Sequence, residues 1–343
     1  MKKQKNECAR ILKEERAKYI CQLKTKMKEL SRGSKEWWRI NRQLLHQKGR
    51  TSAIPSLKEE KEWITEAKEK ADAFARVFTR KAELPSETID CPFFGKPDEE
   101  FNNFVSFRSR SCKSILKKLD EKKATGHDKI SAIILKRLSD CLARPFAFVC
   151  RRLFEEGCWP TAWKYHLIIP IFKKGSAFNP INYRGVHLTS ILSKVAERMV
   201  AIHLVPMLQR KAFGENQWAF RTGLSARDLV TMLMMSWIHA ICTGKKIGAY
   251  LSDITGAFDR VYKPYLLAKL QGFGIGTKFL NFLDAYLSPR RGQVVVQGAF
   301  SDDFEIANSV FQGTVLGPPL WNSFFSDVSI PAMSTRGKRP NFR

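Results

Sequence analysis

Leu251-Ser252-Asp253-Ile254-Thr255-Gly256-Ala257-Phe258-Asp259-Arg260-Val261 is the stretch from which the rest of the chain can be ordered. Just before it, Ile247, Ala249, Leu251 and Asp253 recur with a period of two, which predicts a strand over 247–253 with one apolar face. That strand ends on a carboxylate. A carboxylate at the lip of a sheet is exposed and rigidly aimed. This suits a metal ligand for phosphoryl transfer, where positioning and charge neutralisation do most of the work. A turn-forming or helix-capping aspartate fits the same spacing, and spacing alone favours that plainer role.

Working outward, Lys263-Pro264 opens a helix through Leu270, with Pro near its first turn, and Gly272, Gly274 and Gly276 end it. Residues 293–297 read as a strand, Gly298 starts a turn, and a second strand follows near Phe304, with Asp302-Asp303 in the hairpin between them. Upstream, helices are predicted over 225–243 and over 192–209, the latter with Val195, Met199 and Ile202 inward. A short buried strand covers 167–172 and ends in Lys173-Lys174-Gly175. Further helices are expected over 131–154, from Ser114 and over 60–78, with a turn at 122–130. Pro85, Pro92, Gly95 and Pro97 mark a loose connector, and 49–58 looks like a linker. Residues 1–48 read as basic helix, in which Leu12, Ile20, Leu23, Met27 and Leu30 recur near helical spacing. There Trp37-Trp38 sits among Arg39, Asn41 and Arg42. Such a pair can stack on bases, and it serves equally well as an anchor for a helix.

The chain has 343 residues, 44% of them hydrophobic, with 24 Phe, so it can bury a core. Its net charge is +26, of which residues 1–50 carry +11. An excess this large points to a polyanionic partner, nucleic acid or an anionic membrane surface. The most apolar stretch, 229–241, is too short and too polar to span a bilayer, which favours nucleic acid. The start of the chain leads into no apolar signal segment. The eight Cys show no zinc spacing and read mostly as free thiols of a reducing, intracellular compartment, nucleus or cytoplasm.

Several motifs in one order carry a resemblance. Trp159-Pro160, Ile169-Pro170-Ile171-Phe172-Lys173-Lys174-Gly175, Asn182-Tyr183-Arg184-Gly185-Val186 and Leu188-Thr189-Ser190 are followed by Gln217-Trp218-Ala219-Phe220-Arg221, then Leu251 to Val261, then Phe311-Gln312-Gly313-Thr314-Val315-Leu316-Gly317-Pro318. Together they resemble the reverse transcriptases of non-LTR, jockey-like retrotransposons. The resemblance implies an α+β fold: right-hand polymerase fingers and a partial palm, an antiparallel sheet with packed helices, after a basic helical N-terminal segment. It suggests a division into 1–58, 59–100, fingers over 101–245 and palm over 246–343.

It also implies roles. Asp253 matches the metal-binding catalytic aspartate and would bridge two Mg²⁺ ions, with the carbonyl of Ile254 assisting. Phe258 matches the bulky residue that excludes a ribose 2′-OH. Arg184 matches an arginine gripping the incoming triphosphate, with Lys173 or Lys174 adding charge. Gln312 and Gly313 match the loop holding template and nucleotide. Asp259 is expected to be structural, capping or pairing near the next helix. The partners implied are an RNA template, a DNA primer and dNTP, with no membrane and no stable protein partner.

The chain departs from the family pattern at Gly185-Val186, at Phe311, at Ala219 and at Pro319, which is expected to break the start of the next helix. No Ala-Asp-Asp run follows residue 320, and 334–343 reads as an altered frame or a truncation. One carboxylate cannot hold two metal ions about 4 Å apart. These 343 residues are therefore expected to be inactive as a polymerase, with an unpaired edge on the palm sheet. Two other readings belong to different classes: a non-catalytic basic nucleic-acid binder, or a helical scaffold for protein partners.

Overall fold

The structure is a computed structural model. It describes residues 2–31, 33–44, 54–59, 62–84, 103, 105–213, 217–249, 251, 253, 254, 256–306 and 310–328. The linker positions 49–53, the proline-rich connector and the basic 334–343 stretch lie outside them. The chain forms two compact units, Met1–Ile54 and Pro55–Arg343.

In the first unit the basic sequence forms α1 (Lys2–Glu29) and α2 (Lys35–Leu44). The Ser34 hydroxyl starts α2 by accepting from the Trp37 N–H at 3.1 Å. Leu23 and Ile40 are buried, and Trp37 meets Trp38 edge-on at 4.9 Å.

The second unit begins with a hairpin. β1 (Leu57–Glu59) pairs antiparallel with β2 (Glu62–Ile64), and Leu57 is fully buried. Trp63 and Ile64 therefore lie on a strand, and the helix expected from residue 60 begins only at α3 (Ala67–Ala82). Backbone pairing across the hairpin outweighs the helical spacing of these two residues. Next come α4 (Ser109–Lys117), which starts before the expected Ser114, then α5 (Ala132–Arg137) and α6 (Ser139–Glu155). The single helix expected over 131–154 is thus two, divided at Leu138, whose φ of −90° and ψ of 13° leave the helical well.

β3 (Tyr165–Phe172) and β4 (Tyr183–Leu188) form an antiparallel pair, followed by α7 (Ile191–Lys211) and α8 (Ala226–Cys242). Val195 and Met199 face inward on α7 as expected. Ile202 does not and is 50% exposed. α9 (Lys263–Gly272) follows, then α10 (Thr277–Leu287), which sequence periodicity did not single out. β5 (Arg290–Val296) pairs antiparallel with β6 (Ala299–Phe300) and β7 (Phe304–Ile306) at its two ends. α11 (Gly317–Phe325) begins on Gly317-Pro318-Pro319. Pro319 does not break it, because first-turn N–H groups have no helical acceptor to lose.

The sheet runs β4–β3–β5, with β6 and β7 on the far edge. It is mixed rather than antiparallel, since β3 and β5 run parallel from Tyr165↔Arg291 to Ile168↔Val294. Parallel neighbours need a long crossover, and β4 with α7 to α10 lies between them. The segment 247–253, expected to be a strand, is irregular at its described residues, and Leu251 is 92% exposed. Among the described residues no strand pairs with it, so its backbone has no ladder to join. The core lies between α4, α6, α7, α9, α10 and α11, centred on Phe154, Trp159, Phe279, Phe282 and Tyr286. Cys21, Cys112, Cys141, Cys150, Cys158 and Cys242 are free thiols, as expected. Among the described residues no helix is long and apolar enough to cross a membrane.

Candidate functional site

β3 and β4 deliver the first wall of a cleft of about 800 Å³. Lys173 and Lys174 follow β3, and Arg184 projects from β4 opposite Ile171 in the ladder. The second wall is the 253–260 segment, bringing Asp253, Ile254, Phe258, Asp259 and Arg260. Gln312 and Gly313 complete it from the loop before α11. All the site residues predicted from the sequence, from Lys173 to Gly313, thus line one cleft, although they lie up to 140 positions apart.

The loop at Gly313 is built for close approach. Its φ is +88°, and a Cβ there would stand 2.7 Å from the carbonyl oxygen of His187. Glu197, fully buried on α7, holds the loop from behind. Its carboxylate accepts from the N–H of Val315 at 2.6 Å, from that of Leu316 at 3.1 Å and from the Tyr286 hydroxyl at 3.2 Å. Burial pushes the Glu197 carboxyl above its usual range, and these donors partly offset that. Phe311, where the family pattern has Pro, is fully buried, with the Arg290 guanidinium 3.9 Å above its ring centre.

Arg290 starts a buried polar chain. It donates to the Tyr286 carbonyl at 2.7 Å and lies 2.9 Å from His166 Nε2. His166 Nδ1 in turn lies 2.9 Å from His187 Nδ1. Arg can only donate, so His166 Nε2 accepts. His166 therefore carries its proton on Nδ1 and donates it to His187, whose own proton must sit on Nε2. Burial lowers both imidazoles, His187 to about 4, and the nearby Arg290 charge adds to this.

The two aspartates of the opening stretch differ sharply. Asp253 is exposed at the cleft. Asp259 is part-buried and accepts from Gln312 Nε2 at 3.1 Å. Burial raises its pKa, while Gln312, Lys81, Arg184 and Arg260 pull it down. It does not cap the next helix, since α9 has no side-chain cap. It ties the 253–260 turn to the Gln312 loop, as does the bond from Val310 N–H to the Phe258 carbonyl at 3.0 Å. Phe258 itself meets Phe220 and Trp321 edge-on at 6.0 and 6.3 Å. Ala219 and Gln217 beside Phe220 are both bonded to Asn322 of α11.

Lys81 was not foreseen. It reaches the cleft from α3 and donates to the carbonyls of Ile181 at 2.9 Å and Tyr183 at 3.1 Å, both just before Arg184. Burial lowers its pKa, against the opposing pull of Asp259. A lysine near a helix end carries no sequence signal for such a role. Gly185, where the family pattern has Pro, is packed against Ile168 and Phe78, and a Cβ would come within 2.8 Å of Ile168.

The cleft therefore holds five cations, Lys81, Lys173, Lys174, Arg184 and Arg260, against Asp253 and Asp259. Among the described residues no group of three or more His, Cys, Asp or Glu could hold a metal ion. The two-metal site expected from the resemblance needs ligands on both sides of the ions, and the described side chains of the cleft alone do not supply them.

The family described as reverse transcriptase (RNA-dependent DNA polymerase) matches residues 171–336. The chain is 31% identical over 218 residues to a probable RNA-directed DNA polymerase from transposon BS of Drosophila melanogaster. It is 32% identical over 219 residues to the RNA-directed DNA polymerase from mobile element jockey of the same fly. Each alignment covers 63% of this chain and 24% of the relative. The jockey polymerase of Drosophila funebris aligns over 305 residues at 24% identity, 85% of this chain and 32% of the relative. The chain thus spans about a quarter of the length of the first two relatives. Over residues 171–336 the chain carries a reverse-transcriptase domain of the non-LTR retrotransposon kind.

Proposed function

We propose that the cleft is the fingers–palm junction of an RNA-directed DNA polymerase, holding an RNA template, a DNA primer and an incoming dNTP. One observation carries this reading: Asp253, Phe258, Arg184, Gln312 and Gly313 line a single cleft, in the company of four further cations. In this reading the guanidinium of Arg184 grips the triphosphate in a bidentate contact, and Lys173 and Lys174 add charge. The rings of Phe220 and Trp321 hold Phe258 where it would exclude a 2′-OH. Gln312, oriented by Asp259, and Gly313 present the backbone to the base pair. Residues 101–245 act as fingers and 246–343 as part of a palm. Mg²⁺ bound at Asp253, with help from the Ile254 carbonyl, would neutralise charge on the transferring phosphate.

Asp253 is the cleft's one carboxylate, among the described residues, that Gln312 does not engage. We therefore infer that the 343-residue chain binds primed template but does not extend it. A second reading, a purely nucleic-acid-binding protein, draws on the +11 charge of residues 1–50. A combined gel-shift and primer-extension assay on an RNA template tests both halves. The expected result is a retained primer–template with no deoxynucleotide added. Incorporation that Asp253→Ala abolishes would contradict the inactivity, and absence of any shift at low salt would end the polymerase reading.

A further inference from the structure

We propose that Trp63 and Phe178, with Lys58, form a stacking platform for unpaired RNA template at the rim of the cleft. The inference rests on the polymerase reading above. Trp63 and Lys58 lie outside the matched residues 171–336, so nothing in the family match assigns them a role.

Both rings are open to solvent, Trp63 at 55% and Phe178 at 48%. They meet edge-on at 5.4 Å, and Lys58, opposite Trp63 in the hairpin ladder, places its ammonium 5.9 Å from the indole centre. The platform is pre-organised. The Lys58 N–H donates to the Phe178 carbonyl at 2.7 Å and so ties the hairpin to the loop. The loop is braced within itself, by Asn182 Nδ2 donating to the Ser176 carbonyl at 2.9 Å and the Tyr183 hydroxyl to the Ala177 carbonyl at 2.7 Å.

The same loop begins at Lys173 and Lys174 and ends at Ile181, all of which line the cleft. A strand leaving the cleft along those lysines meets the two rings next. Among the hairpin's described residues, the Glu59 carboxylate is paired with Arg76 at 2.5 Å and Glu62 is exposed. The cation at the rings is Lys58, whose ammonium faces the indole. Exposed aromatic faces flanked by lysines take unpaired bases, because every base has a π-face and every linkage a phosphate. The plainer role of the ring pair is to pin the hairpin to the loop, and the two roles separate in solution.

Fluorescence anisotropy on the full chain is the test, with labelled oligoadenylate RNA as the strand and a blunt RNA–DNA hybrid as the control. Trp63→Ala should weaken strand binding by about fivefold or more, leaving the blunt hybrid unaffected. Trp63→Phe should retain most of the affinity. Lys58→Gln should lower the log–log salt slope for the strand by about one. If Trp63→Ala binds the strand like the native chain, the platform is refuted and the polymerase reading stands. Equal weakening of strand and blunt hybrid makes Trp63 only a structural anchor and also refutes the platform. If the native chain binds neither, both readings fall together.

Discussion

Asp253 and Asp259 belong to one seven-residue run, yet the fold gives them opposite surroundings. That contrast was only half legible. The alternation and the flanking glycine mark a turn bearing carboxylates. They do not tell which carboxylate is taken up by an amide 53 positions later, as Asp259 is by Gln312. The His166–His187–Arg290 chain was not legible at all, because isolated histidines in two strands carry no spacing signal. It has a consequence for pH. His187 has its usual unfolded value of about 6.5 and a folded value of about 4. A depressed value means that the contribution is present above pH 6.5 and is lost as pH falls towards 4. The loss amounts to roughly 3 kcal/mol. Glu197, whose value is raised, acts in the opposite sense. Urea midpoints measured between pH 7 and pH 5 should therefore fall in the native chain, and fall less in His187→Gln. An equally steep fall in the variant would show that His187 is not held neutral.

At the scale of elements, the helices with one apolar face and the strands 167–172 and 293–297 were read correctly from periodicity and end signals. Two misses share a cause: whether a segment finds a strand partner is not written in its own spacing. Trp63 and Ile64 have helical spacing but join a hairpin. The 247–253 segment has strand spacing, yet among the described residues no neighbour pairs with it. α8 is the clearest case of apolar sequence without burial. Its capping box, Ser225 with Asp228, sets its start, yet none of its described residues is buried. A side chain already in solvent gives up little when made polar, usually within about 0.5 kcal/mol. Met235→Gln on α8 should therefore leave the thermal midpoint nearly unchanged. Met199→Ala on α7, where the side chain is fully buried, should cost about 2–5 kcal/mol. Comparable losses for the two variants would mean that α8 is packed after all.

For the whole molecule, charge was the most readable property and its placement the least. A net +26 announces a polyanion, but the sum does not say where that polyanion lies. Folding gathers Lys81, Lys173, Lys174, Arg184 and Arg260 around one cleft, from α3, the β3–β4 region and the 253–260 turn. Cations lining a groove with low-dielectric walls should dominate the salt dependence of binding there. The most direct measurement is the salt dependence of primer–template affinity for the native chain and for Lys173→Gln/Lys174→Gln/Arg184→Gln. The account predicts that the triple variant binds at least about tenfold more weakly at low salt, with a log–log slope shallower by about two to three. A control, Lys245→Gln/Lys246→Gln, removes two exposed charges that do not line the cleft and should change affinity far less. A triple variant that keeps native affinity and slope would contradict the account, because the primer–template would then lie somewhere other than the cleft around Asp253.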